Sequence, residues 1–147
     1  MLNVPHTNAD IDENIRIKGI LVDEVTQPKN DGSKGSGLYK IPFELNREPD
    51  HEWKELFIAA WNHPSQFTQM HRPGISSVIG NKIILDGTTI EEVESYHKNT
   101  LKLAVETANT TYISNQRRKK QVEDQAKNQA EVHKQNINNI SKRINFD

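Results

Sequence analysis

The chain has 147 residues, enough for one modest domain, yet only 33% of them are hydrophobic and the mean hydropathy is −0.81. It has no cysteine, which excludes a disulfide framework, thiolate metal sites, iron–sulfur clusters and a thiol nucleophile. The net charge of −1 hides an asymmetry: residues 114–147 carry eight Lys/Arg against four Asp/Glu, a balance of +4, so residues 1–113 carry −5.

Residues 1–14 are polar and aperiodic and read as a flexible leader. Met1–Glu13 lack a basic patch followed by an apolar run, so they do not form a secretory signal. No apolar stretch reaches the roughly 20 residues of a membrane span. A reducing, cytoplasmic setting is the expectation, with no membrane partner.

Ile15, Ile17, Ile20, Val22 and Val25 make a strand-like run whose phase changes near Gly19, the mark of a bulge. Thr26–Gly37 is rich in turn formers and reads as a loop. Leu38, Ile41, Phe43 and Leu45 predict a second strand, in which Pro42 argues for an edge position or a bulge.

Trp53, Leu56, Phe57, Ala60 and Trp61 fall on one stripe of a 3.6-residue period and predict a helix. Pro49 suits its first position, and Glu48, Asp50 and Glu52 suit the N-terminal dipole. Pro64 should end it. After a loop over residues 65–74, two β-prone runs flank Gly80-Asn81 and predict a hairpin.

Asp86-Gly87 is expected to turn the chain. Thr88 and Thr89, each followed three residues on by a glutamate, are cap candidates for the last helix. No Gly or Pro occurs after Gly87. Continued to Asn145, that helix would be roughly 80 Å long at 1.5 Å per residue. The β-branched residues around Thr107–Thr111 are the expected place for a break.

The pattern predicts an α+β fold: a small antiparallel sheet of about four strands in ββαββα order, covered by helices, with a long C-terminal helix extending beyond the domain. The expected divisions are a leader over 1–14, a globular domain over 15–113 and a polar basic extension over 114–147.

Candidate chemistry is sparse. His63 and His71 share a proline-bounded loop, with Asp86 or His97 as a third partner, but the spacing does not require a metal site, and no metal or cofactor is expected. Asp50-His51-Glu52 reads as the acidic first turn of a helix. The Gly32–Gly37 loop lacks phosphate-loop spacing and leads into a strand. Nucleophile motifs are absent. The loop to watch is Gln69–Gly74, where Trp61, His63, Phe67, His71, Arg72 and Asp86 are candidates for a small ligand or partner pocket.

The extension has two features. Arg117, Arg118, Lys119 and Lys120 form a basic run, a candidate nucleic-acid contact, although on a helix they wrap around it and pair with Glu123 and Asp124. Ala126, Ala130, His133, Ile137, Ile140 and Ile144 are spaced 4, 3, 4, 3 and 4, a heptad seam suited to self-association or to docking on a partner helix. His133 in that seam would make pairing sensitive to pH.

The functional reading is therefore a non-enzymatic interaction and assembly module, of the kind that serves as an accessory subunit in bacterial or phage systems. Its expected partner is itself or a larger protein. Nucleic acid held by the basic run is the alternative. A ligand sensor or enzyme around His63, His71 and Arg72 comes third.

Overall fold

The computed structural model describes residues 14–147, so the leader read over 1–14 lies, but for Asn14, outside the described residues. Four strands, β1 (Ile17–Ile20), β2 (Tyr39–Leu45), β3 (Ser76–Ile79) and β4 (Lys82–Thr88), form one antiparallel sheet in the order β1-β2-β4-β3. Helix α1 (His51–Asn62) lies between β2 and β3 in sequence. The last helix, α2, begins as an α-turn (Ile90–Glu92), widens into a π turn (Val93–His97) and runs on as an α-helix (Lys98–Ser141). The α+β class, the ββαββα order and the long C-terminal helix are as the sequence indicates.

One face of the sheet is apolar because β2 and β4 alternate in register. Ile41 pairs with Leu85 and Phe43 with Ile83, and all four are buried. Ile15, Leu45 of β2, Trp53, Phe57 and Trp61 of α1 and Val93, Leu101, Ala104, Val105 and Ala108 of α2 complete this core. Trp53 and Phe57 stack with ring centroids 5.5 Å apart. Each of the larger buried aliphatic or aromatic side chains contributes roughly 1.5–3 kcal/mol, and each alanine methyl less.

Helix α1 starts at His51, two residues later than the Pro49 its sequence suggests. Asp50 is the cap, its carboxylate accepting from Trp53 N–H at 3.0 Å, and Pro49 precedes it. The helix stops at Asn62 as Pro64 approaches.

Several local expectations are corrected. The strand-like run from Ile15 to Val25 yields only four residues of strand, followed by a 3₁₀ turn at Val22–Glu24. The bulge expected at Gly19 is present as a register shift against β2. Pro42 sits in an interior strand, not at an edge. Its carbonyl accepts from Leu21 N–H at 3.0 Å, which shows that its missing donor faces the β1 side, where that strand has already ended at Ile20.

Asp86 and Gly87 do not turn the chain. They belong to β4, and the register skips between Tyr39↔Thr88 and Lys40↔Asp86. Gly87 takes a φ of +117°, a conformation open to glycine. The extra residue is thus absorbed as a bulge. Thr88 is accordingly a buried strand residue, and only Thr89 caps α2, accepting from Glu92 N–H at 3.1 Å.

The break expected near Thr107–Thr111 does not occur. Ala108 is wholly buried, Asn109 bonds to Ile15 and Trp53, and Tyr112 donates to Asp50, so tertiary contacts override weak helix propensity. The irregularity lies earlier, where Lys98 N–H reaches back five residues to the Val93 carbonyl. The chain divides into two units, the first ending at Tyr112 and the second comprising Ile113–Asp147. Among the described residues, no helix is long and apolar enough to cross a membrane.

Candidate functional site

Two places bring candidate residues together: a buried polar cluster in the first unit and an apolar stripe in the second. The cluster is built on Trp61, the last aromatic of the α1 stripe, which is fully buried. Its indole N–H donates to the Arg72 carbonyl at 3.0 Å, and its own carbonyl accepts from His71 Nε2 at 2.8 Å. These two bonds fold the loop back over the end of the helix. His71 also packs on the Trp61 ring, and Phe67 stands edge-on to His71 while remaining 63% exposed.

Arg72 then reaches α2. Its Nε and a terminal nitrogen grip the two oxygens of Glu92 at 2.8 and 2.7 Å. Thr88 Oγ1 donates to the same carboxylate at 2.8 Å. The Arg72 bonds hold the Glu92 carboxyl well below its ordinary range, at about 2, with smaller help from Thr88. Glu92 in turn raises the Arg72 guanidinium above its ordinary value.

The π turn turns His97 into this cluster. The ring is fully buried, 5.5 Å from the Trp61 ring, and has no hydrogen-bond partner at either nitrogen among the described residues. Its Nε2 lies 3.4 Å from a Glu92 oxygen, an electrostatic contact without hydrogen-bond geometry. Burial pushes the imidazole below its usual pKa, against the opposing pull of Glu92. Glu92 and His97 lack any sequence motif that marks them. Glu92 reads as a capping residue, and its carboxylate is instead taken up by Arg72 and Thr88.

The other candidates of this group lie apart from it. His63 is the exposed C-terminal cap of α1. Asp86 is exposed on β4, 4.0 Å from Lys40. His51 faces Glu55 one turn along α1, in water. Among the described residues, no three His, Asp or Glu side chains are grouped as a metal ion requires. The cluster ties the loop, β4 and α2 to one another through the Glu92 carboxylate, to which the Arg72 guanidinium and the buried Thr88 hydroxyl both donate.

In the second unit, Ala126, Ala130, His133, Ile137 and Ile140 lie on α2 within about 80° of arc, at 100° per residue. All are exposed, Ile137 by 53% and Ile140 by 42%. Ile144 follows the helix end, in a turn where its N–H donates to the Ser141 carbonyl. Val122 falls on the same face one turn before Ala126 and extends the stripe. Strict heptad counting from the isoleucines misses it. Arg117, Arg118, Lys119 and Lys120 are exposed around the helix, with Arg118 donating to Asn115 at 2.8 Å.

The chain matches no protein-family model, no curated protein and no solved structure.

Proposed function

We propose that this protein is a non-enzymatic interaction and assembly module, in which the second unit's helix docks on a second copy of the chain or on a partner helix. One observation carries this reading. The α2 residues from Arg117 to Ser141 are all exposed, and they include the apolar stripe ending in Ile137 and Ile140. Apolar residues at such spacing bury themselves when helices pair, and an unpaired stripe of this kind marks an interaction face. The segment is long enough to hold helix on its own, helped by the i,i+4 spacing of Lys119 with Glu123 and of Lys127 with Glu131.

Two alanines and a histidine in the seam make the pairing weak, so the expected association is reversible and concentration-dependent. Light scattering after size exclusion tests it. The full chain should be an oligomer, and both a chain ending at Ile113 and the full-length variant Ile137→Asn/Ile140→Asn should be monomers. A monomeric full chain that also captures no partner helix would sink the reading. The exposed basic run supports nucleic acid as the second reading, whose signature is binding that falls steeply with added salt.

A further inference from the structure

A groove of about 640 Å³ opens in the first unit between β1 and the outer flank of α2. Its walls are apolar, with Ile17, Ile20, Phe43, Val93, Leu101 and Val105 lining it. Among the described residues, its rim carries Arg16, Lys98 and Lys102 against one acid, Glu106. The three cations are exposed and form no ion pair among the described residues. They stand out in residues 1–113, whose net charge is −5.

Among the described residues, the groove also runs along an open sheet edge, because β1 is the outermost strand on its side. The main-chain groups of Arg16 face β2: its N–H donates to Asn46 Oδ1 at 2.7 Å and its carbonyl accepts from Asn46 N–H at 3.0 Å. By alternation, those of Ile15 and Ile17 face outward. Ile15 is bonded on that side by the Asn109 carboxamide, which acts as a short surrogate strand. Beyond it, Leu21 N–H points to Pro42, so Ile20 also faces out. Ile17 and Ile20 therefore offer main-chain donors and acceptors beside an apolar trough with a cationic rim. An uncovered edge of this kind is a template for strand addition.

We propose that this groove binds an extended, acidic peptide segment of a partner protein, which adds as a fifth strand to β1. Alternate side chains of the segment enter the trough against Leu101 and Val105. Its carboxylates meet Lys98, Lys102 and Arg16, and its main chain bonds to Ile17 and Ile20. This surface belongs to the first unit and is independent of the helix stripe.

The test uses the full chain and a fluorescein-labelled probe peptide, Glu-Val-Glu-Ile-Glu-Val-Glu, followed by fluorescence polarisation. Saturable binding is expected. It should weaken at least about tenfold in Lys98→Glu/Lys102→Glu, whose two sites are exposed and whose thermal melting should match the parent. The same loss is expected when the peptide's glutamates become lysines, and when its alternate amides are N-methylated, which removes the strand-pairing donors. Equal binding of the lysine or N-methylated peptide, or no binding up to about 1 mM, would overturn the proposal. A rise of about tenfold in Asp10→Asn/Asp12→Asn/Glu13→Gln would also overturn it, since the chain's own acids would then be the occupant.

Discussion

Asn109 bonds both main-chain groups of Ile15, accepting from its N–H at 3.1 Å and donating to its carbonyl at 2.9 Å. The same Oδ1 accepts from the Trp53 indole at 2.9 Å. One side chain on α2 thus fixes the start of β1 and the first aromatic of α1. Asn109→Leu should leave Ile15 N–H and the buried indole N–H without acceptors, a loss of about 2–3 kcal/mol in urea unfolding. Asn109→Asp keeps the acceptor and loses the donor, so it should cost less. Equal losses would show that the amide N–H carries the contact.

Arg72 and Glu92 make the second cross-link, this time from the loop to α2. Both are largely withdrawn from water, at 32% and 13% side-chain exposure. Arg72→Leu strips Glu92 of its first partner while the carboxylate stays buried, and should cost about 2 kcal/mol. Arg72→Lys should recover only part of this, because an ammonium cannot grip both oxygens at once. Full recovery by lysine would mean that charge alone, rather than the fork geometry, holds the loop.

Acid should weaken the first unit in two stages. His97 has its pKa depressed by burial, so the unfolded chain takes up its proton first. The stability tied to neutral His97 is complete above an unfolded value of about 6.5 and falls as pH drops below it. Glu92, held at about 2 rather than 4.5, contributes stability that is complete above about 4.5 and lost between there and about 2. Melting temperature should be level between about pH 7 and 8 and then decline from about 6.5. His97→Gln should flatten the upper part of that decline and leave the lower part. An unchanged upper part would remove His97 from the account.

The sequence reading reached the elements whose signals are local. Trp53, Phe57 and Trp61 declare α1 by spacing alone, and Gly80-Asn81 declares the β3–β4 hairpin. It failed where a residue answers to a distant neighbour. Pro42 is tolerated inside the sheet because β1 stops one residue short of it, and nothing near Pro42 in sequence shows that. Glu92 looks like a capping residue until Arg72, twenty positions away, occupies it. His97 enters the sequence reading only as an alternative third partner for His63 and His71, and nothing local shows that the π turn buries its ring 5.5 Å from that of Trp61. The candidate stripe on α2 was readable because heptad spacing needs no tertiary partner, and Val122 was missed because it lies outside strict heptad register.

Gly87 offers a direct check on the bulge in β4. Its φ of +117° suits glycine, while a Cβ there would meet Ile75 Cγ2 at 3.8 Å, an ordinary contact. The cost of a side chain is therefore conformational and not steric crowding. Gly87→Ala should cost roughly 1–2 kcal/mol and Gly87→Val roughly 2–3 kcal/mol in urea unfolding, with the slope of the transition unchanged. A neutral alanine would mean that the strand relaxes into regular pairing.

The stripe and the basic run of α2 lie on one helix but make separable predictions. Ile137→Asn/Ile140→Asn changes only exposed side chains, so the urea unfolding of the first unit should be unaltered while the association mass falls to that of a monomer. Replacing Arg117, Arg118, Lys119 and Lys120 with glutamine removes four cations that encircle the helix and should leave the association mass unchanged. If instead the glutamine variant dissociates and the asparagine variant does not, the contact is electrostatic. Raising the salt concentration should then disperse the parent chain as well, because exposed charges more than about 10 Å apart are screened at about 0.1 M salt. Persistence of the oligomer in about 0.5 M salt, with loss in the asparagine variant, is the result that the apolar stripe requires.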